Sequence, residues 1–536
     1  MQWADMRSLR VSLYGIVALT LFGPGFGSHA QQTSQSTPTI RVTSRLVFLD
    51  VTVLDKKGRP VVKGLTKDDF TITDNKTPQR IFSFEPPEVH VVDPADGSHT
   101  ENAAPVTIFV LDLLNSSFED FGYIRFMVHK YLADQPSRLT SPAELMVLGN
   151  KSLEMVQGYT RSKADLLYAL DHVPPALPFK KMYGWTEDRF YQSIDALDQI
   201  ALQNQGVHGR KNIIWVGHGG PNIGTIALPP DTVDSLNAYV HAATNMLVDS
   251  RVSLFVIYPG LKVDGAVFGV ANGYGASTDL GDNDPFSGDI NFGIFVNETG
   301  GKLFYNRNDI NTEIKQSQQL GTEYYTLTYQ PQEGNDDGKF RRIRVSLRNP
   351  DLRAVTKTGY FSTDKKAPSS RQQTMTNLSE AARATLPFDS LGVVIEKVVR
   401  HPDTSTAEFS LAVSPRNLTW QQVDNGKSSS DLLLAAASLN GQRDFLASRL
   451  EDYTLTAPTQ DAAQLARIGA RWSVTIRIPR KTQSVRIVIQ NGGTGRFGAV
   501  ELDRKIIDAA PETPTPEPKL IPQPLKEPTP SASSQR

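Results

Sequence analysis

The stretch "IFVLDLLNSSFED", Ile108 to Asp120, runs four apolar residues straight into Asp112 and then into Asn115, Ser116 and Ser117. A short apolar run closed by small polar residues is the pattern of a strand buried on both faces. Such a strand delivers its last carboxylate to the edge of a sheet, where a metal ion can sit.

Similar runs recur at 106–111, 144–149, 211–216 and 252–258, with a weaker one at 302–305. Amphipathic segments lie between them. "TEDRFYQSIDALDQIALQNQ" puts Phe190, Ile194, Leu197 and Ile200 on one helical face, and "TVDSLNAYVHAATNMLVDS" does so with Val233, Leu236, Val240, Ala243 and Leu247. Strands alternating with helices predict an α/β fold with a doubly wound, mostly parallel sheet over 104–320. Pro259 to Gly293, rich in Gly, Asp and Asn, reads as a long surface loop.

The flanks read as β. In "RLVFLDVTVLDKKGRP", Val47, Leu49, Val51 and Val53 share an apolar face opposite Leu46, Phe48 and Asp50, which predicts a half-buried strand in an N-terminal β-module, 39–87. Residues 321–363 read as a β-strand extension packed on the α/β domain, and 385–505 as a C-terminal β-sandwich. The Pro-rich tail, 508–536, reads as disordered.

Of 536 residues, 56 are basic and 57 acidic, so the net charge is −1, which argues against broad electrostatic binding of nucleic acid or anionic membrane. Cysteine is absent, which excludes disulfides and thiolate metal ligands. Residues 1–30 carry Arg7 and Arg10, an apolar run from Val11 to Phe22, and Ser28-His29-Ala30, the pattern of a cleaved secretory signal peptide. The run is short for a membrane anchor, and Gly23-Pro24-Gly25 breaks it; no later stretch is long and apolar enough to cross a bilayer. The mature chain is therefore expected to be exported, whether periplasmic, on the outer surface or secreted.

The order of these pieces resembles the von Willebrand factor A-related proteins of the acidobacterial type. The matching stretches are "LVFLDVTVLDKKGRPVVKGLTKDDFTITDNKTPQRIFSF", "IFVLDLLNSS", "GRKNIIWVGHGGPN", "RVSLFVIYPG" and "NETGGKLFYNRNDI", followed by "EYYTLTYQP", "GKFRRIRVSL" and "TGYFS". The resemblance implies a von Willebrand factor A-like domain whose ligand site lies at the C-terminal ends of the strands. In many relatives that site holds a divalent cation through an Asp-x-Ser-x-Ser loop, a Thr from a second loop and an Asp from a third.

On that template Asp112 and Ser116 match, while Leu114 stands where the first Ser belongs. Thr160 is the candidate second-loop ligand, with a helix N-cap as the competing role. His218, between Gly217 and Gly219, occupies the third-loop Asp position. Asp112, Ser116 and Thr160 with waters would hold Mg²⁺ weakly, and His218 suits Mn²⁺ better. The competing reading makes Asp112 a structural carboxylate that accepts backbone N–H bonds. Asn115, Ser117, His218 and Asn222 are the candidate partner-binding residues.

Other motifs are weaker. Gly493-x-Gly495-x-x-Gly498 matches a dinucleotide loop but precedes a strand-like run, so a hairpin turn is expected. No Gly-x-Ser-x-Gly elbow accompanies His218-Gly219-Gly220. Asp279, Asp282, Asp284 and Asp289 read as a solvated loop rather than a Ca²⁺ loop, and Tyr183, Trp185 and Tyr191 as packing rather than a contact surface. Together these readings predict a non-enzymatic binding or adhesion protein that engages a protein partner. The alternative is a structural envelope or secretion-apparatus component in which the domain is only a scaffold.

Overall fold

The computed structural model describes residues 46–90, 105–173, 185–226, 228–259, 284–286, 288–307, 309–331, 337–362, 370–415, 418–423, 426–458 and 469–513. The expected signal peptide, most of the Pro259–Gly293 loop with Asp279 and Asp282, Tyr183, and the tail beyond Thr513 lie outside these residues.

The first strands are β1 (Val47–Leu54), β2 (Phe70–Asp74), β3 (Thr77–Gln79) and β4 (Ile81–Glu85). Along β1, Val47, Leu49, Val51 and Val53 are buried and Phe48 is exposed, as the period of two requires.

The chain then builds the α/β domain. Its elements are β5 (Val106–Asp112), α1 (Phe118–Ala133), β6 (Arg138–Leu148), β7 (Leu153–Ser162), α2 (Lys163–Asp171), α3 (Trp185–Gln203), β8 (Lys211–Val216), α4 (Pro230–Asp249), β9 (Val252–Pro259), α5 (Phe292–Glu298), β10 (Lys302–Arg307) and α6 (Ile310–Thr322). The sheet order is β10-β9-β8-β5-β6-β7, parallel except for the edge strand β7, which runs antiparallel to β6. Ile108, Val110, Ile213 and Trp215 point into a cluster with α3, α4 and α5, whereas Phe109, Leu111, Ile214 and Val216 point into one with α1, α2 and α6. Burial on both faces explains why these strands read as unbroken apolar runs. The order reverses between β5 and β8. The first connections wind one way from β5 and the later ones the other way from β8, which opens a crevice at their C-terminal ends.

The chain returns through β11 (Tyr325–Tyr329), β12 (Phe340–Leu347), β13 (Arg353–Val355) and β14 (Gly359–Phe361). Here the architecture departs from separate flanking segments. β1 pairs with both β11 and β13, and β2 with both β12 and β3, so 47–85 and 325–361 build two four-stranded sheets around one apolar cluster. Neither segment could cover its own strand edges alone. The module is fastened to the α/β domain by polar groups at the N-terminal ends of β8 and β9. Arg210, 1% exposed, donates through Nε to Ser253 Oγ at 2.8 Å and through Nη1 to Thr52 Oγ1 at 3.1 Å. Arg251 Nε donates to Asp50 Oδ2 at 3.1 Å.

A third region follows: α7 (Ser370–Arg383), β15 (Val393–His401), β16 (Thr406–Val413), β17 (Gln421–Val423), β18 (Lys427–Leu439), β19 (Phe445–Pro458), β20 (Ala470–Arg477), β21 (Ser484–Asn491), β22 (Phe497–Asp503) and α8 (Arg504–Asp508). The sheet β15-β16-β20 and the sheet of β17, β18, β19, β21 and β22 share one cluster that includes Leu411, Val474, Leu434 and Ile487. The glycine-rich stretch Gly493–Gly498 joins the antiparallel pair β21 and β22, so it is a hairpin turn. Among the described residues no helix is long and apolar enough to cross a membrane.

Candidate functional site

Asp112 is the last residue of β5, at the point where the strand order reverses, and it is fully buried. Four donor groups close on its carboxylate. Asn115 N–H meets Oδ1 at 2.9 Å, and Asn115 Nδ2 reaches both oxygens at 3.1 Å. Trp215 Nε1 donates to Oδ2 at 3.0 Å, and Gly219 N–H donates to the same oxygen at 2.9 Å. Burial raises the carboxyl pKa above its usual range, while the Trp215 and Asn115 hydrogen bonds and the charge of His218 act in the opposite sense.

The loop after β8 is shaped to reach this carboxylate. Gly217 has φ +146, and a Cβ there would stand 2.4 Å from Asp112 Cβ. Gly219 has φ +68, and its Cβ would meet the Phe292 ring at 2.4 Å. Both positions combine left-handed backbone with close approach, which glycine alone tolerates without strain. Trp215 is the residue that sequence reading overlooked. An indole N–H inside an otherwise aliphatic strand needs a buried acceptor, and Asp112 supplies it.

The other sequence candidates separate. Leu114 is fully buried in the core cluster and presents nothing to the crevice. Ser117 caps α1: its hydroxyl accepts from Asp120 N–H at 3.1 Å and donates to Asp120 Oδ2 at 2.9 Å. Asn222 is exposed on the loop after β8. Thr160 does not belong to the site. It lies on β7 opposite Ala143, which pairs with Thr107, five residues down β5 from Asp112, so Thr160 is about 16 Å along the strands and two strands across from it. Its hydroxyl donates to Asp165 Oδ2 at 3.2 Å beside the start of α2. The cause is the tight turn of Gly149 to Ser152, where Gly149 N–H donates to Ser152 O. It sends β7 back antiparallel, and the hairpin was the missed signal.

The remaining residues do not fit a divalent cation. A carboxylate offers about four lone-pair directions, and those of Asp112 already face four donor groups. Among the described residues no cluster of three His, Asp or Glu side chains is placed to hold a metal. The described members of the acidic loop serve backbone bonds: Asp284 Oδ1 accepts from Phe286 N–H at 2.8 Å, and Asp289 Oδ1 from Thr225 N–H at 3.2 Å. Tyr191 packs edge-on against Tyr239 with ring centres 5.4 Å apart.

Around Asp112, four buried polar atoms have no hydrogen-bond partner: Asn115 Oδ1, Ser116 Oγ, His218 Nδ1 and Arg189 Nε. Ser116 is 8% exposed, and its Oγ lies over Gly217. Arg189, on α3, feels the Asp112 charge; burial pulls its pKa down and Asp112 pushes it up. The α3 backbone is tied to the site through Ser193, whose Oγ accepts from Asn115 Nδ2 at 3.0 Å and donates to Arg189 O at 2.7 Å. Two large apolar side chains flank the crevice in the chain, Phe118 after the β5 loop at 59% exposure and Ile226 after the β8 loop at 97%.

No protein-family model matches this chain, and no curated protein matches its sequence. Solved structures show likeness, and three of them are described. A conserved hypothetical protein BatB from Bacteroides thetaiotaomicron is 13% identical over 40% of this chain and 97% of that one, with TM-score 0.22. The SpRpn10 VWA domain is 14% identical over 33% and 84%, with TM-score 0.17. The manganese-loaded Plasmodium vivax TRAP protein is 12% identical over 47% and 93%, with TM-score 0.25. Likeness at this level fixes neither a family nor a function.

Proposed function

We propose that this chain is an exported, non-enzymatic binding protein. In this reading a von Willebrand factor A-like domain engages a protein partner at the C-terminal edge of its sheet, and the last region is a β-sandwich. The observation that carries the reading is the crevice between β5 and β8. It gathers buried polar atoms with unspent hydrogen-bonding capacity at the reversal of strand order, and Phe118 and Ile226, which follow its two loops in the chain, are exposed. Exposed apolar residues on the chain next to a polar centre suit a protein surface. Asp112 serves Trp215 and Gly219 instead of orienting a histidine, which supports binding over hydrolysis.

A photo-cross-linking residue placed at Asn222 of the full chain, in cells that produce it, tests the proposal. The expected result is a discrete adduct with one protein, absent when the same residue replaces Thr160 at the opposite end of the sheet. Equal adducts from both positions, or none from Asn222, would refute it.

A further inference from the structure

We propose that the cavity between α3, α7 and the third region binds a small organic cation of the polyamine class, held by Asp198 of α3 and Glu380 of α7. The site is separate from the partner-binding edge and stands whether or not that reading holds.

α3 has two faces. Phe190, Ile194, Leu197 and Ile200 pack into the core of the sheet. Gln192, Asp195, Asp198, Gln199 and Leu202 recur at helical spacing on the other side and line a cavity of about 1640 Å³. Glu380 and Arg383 of α7 line it too, and the turn 440–444 and the run 482–484 add the wall from the third region. Thr385, just past α7, donates its hydroxyl to Leu153 O at 2.5 Å, which ties the two regions together beside the cavity. A recess where two regions of a chain meet is a usual place for a small ligand.

Acceptors in this recess lack donors. Asp198 Oδ1, Gln199 Oε1 and Thr482 Oγ1 are buried with no hydrogen-bond partner, and Thr482 is only 4% exposed. Atoms left in that state are costly, and a ligand carrying N–H groups relieves the cost. The carboxylates are also crowded. Burial raises the Asp198 pKa well above its usual range, and the charges of Glu380 and Asp195 raise it further. Burial and Asp195 push Glu380 up to about 7, with Arg383 pulling the other way. Asp195 is raised by burial against the hydrogen bond that Tyr239 of α4 donates at 2.6 Å.

The cations on the same walls are mostly engaged elsewhere. Arg443 pairs with Glu501 at 3.1 Å and Arg504 with Asp508 at 2.8 Å, and Arg383 lies 4.5 Å from the centre of the Phe445 ring. Lys151 and Lys505 are exposed, as are the acidic Asp444 and Asp503 beside them in the lining.

This arrangement selects the ligand. Among the described residues no group of three acidic or histidine side chains is placed to hold a metal ion, so one small cation cannot serve the three carboxylates together. Ammonium groups joined by methylenes reach separate acceptors, and each brings donors only. Leu153, Leu202 and Ala384 offer the methylenes apolar contact.

Isothermal titration of the metal-free full chain with spermidine tests the proposal. Spermidine is expected to bind, and butylamine, with a single ammonium, to bind at least about tenfold more weakly. Below about pH 7 the carboxylates hold a proton that the cation must displace, so binding should tighten by up to about tenfold from pH 6 to pH 7. Asp198→Asn and Glu380→Gln should each weaken binding about 10- to 100-fold. Their thermal midpoints should not fall, because each removes a carboxylate that its neighbours repel. Asp68→Asn, in the N-terminal module, should change nothing. Absence of spermidine binding, binding that ignores pH, or indifference to either cavity variant overturns the proposal. Displacement of spermidine by equimolar Mg²⁺ overturns it in favour of a metal site, and equally tight binding of hexalysine overturns it in favour of a basic protein segment.

Discussion

Asp112→Ala separates a structural carboxylate from a cation ligand. Removing the carboxylate strips Trp215 Nε1, Gly219 N–H and Asn115 N–H of their acceptor. Each buried donor left unsatisfied costs about 1–3 kcal/mol. The gain that offsets this is release of the desolvation that raises the Asp112 pKa, several kcal/mol for a buried ion. Asn115 is only partly buried and recovers water, so the net loss is expected at about 2–4 kcal/mol. The protein has several modules, and a single unfolding midpoint would blur them. Amide hydrogen exchange along β5 and β8 in EDTA reads the local effect. The stated loss predicts exchange faster by roughly 30- to 800-fold there, with β15 to β22 unchanged. A vacant cation site behaves in the opposite way, because deleting one of its carboxylates relieves repulsion. Exchange that is unchanged or slower in Asp112→Ala, or protection of the wild type by Mg²⁺, would refute the reasoning.

Three further predictions test the framework around the site. Leu114→Ser restores the serine of the metal-loop pattern but opens the core, so thermal or urea unfolding should show a loss of about 3–5 kcal/mol and no Mg²⁺ dependence. Glu144 on β6 is fully buried, and burial pushes its pKa up to about 8 against the opposing pull of the neighbouring Tyr159 and Gln203. A raised folded-state pKa means full stability below the usual glutamate range and loss as pH climbs through about 8. Glu144→Gln should therefore stabilise at pH 9, by at most about 5 kcal/mol, with no gain at pH 4. Asp50 is held below the usual carboxylate range: burial raises its pKa, but the Arg251 charge and hydrogen bond outweigh it. Asp50→Ala should cost about 3–5 kcal/mol at pH 7 by leaving Arg251 unpaired. The gap from wild type should close only as pH falls below that range, which urea unfolding against pH would show.

The α/β core was legible because its signals are local. β5, β8 and β9 are apolar runs, and α3 and α4 carry their buried residues at helical spacing, so 106–111, 211–216, Phe190, Ile194, Leu236 and Val240 fell where pattern put them. Pairing at long range was not legible. Nothing near Val47 announces that its partner is Tyr329, and so two segments of one module read as two. The candidate site divided along the same line. Asp112 was singled out by its place at a strand end, and Ser116 and His218 by resemblance to the metal-loop pattern; the fold puts all three at the ends of β5 and β8. Thr160 was misplaced because the direction of β7 depends on a four-residue turn. Arg189 and Trp215 were missed because only the folded sheet brings α3 and β8 to the end of β5.

The geometry also predicts how stability and recognition divide between residues. Asp112 ties the end of β5 and its following loop to β8 and the Gly217–Gly219 loop, so Ser116, Asn115 and His218 are held in place before any partner arrives. Their ordering is spent in folding, and each side chain fixed in advance spares about 0.5–1.5 kcal/mol on binding. Arg189 differs. It comes from α3, is only partly buried, and must give up side-chain freedom if a partner engages it. Variants should therefore fall into two groups. Arg189→Gln should lose Asn222 cross-link yield with unchanged hydrogen exchange in β5 and β8. Asp112→Asn turns one acceptor into a donor facing either Asn115 N–H or Trp215 and Gly219, so it should speed hydrogen exchange in β5 and β8 and lose affinity together. If Asp112→Asn lost affinity while hydrogen exchange in β5 and β8 stayed at the wild-type rate, Asp112 would be touching the ligand itself, and the division between wall and receptor would be wrong.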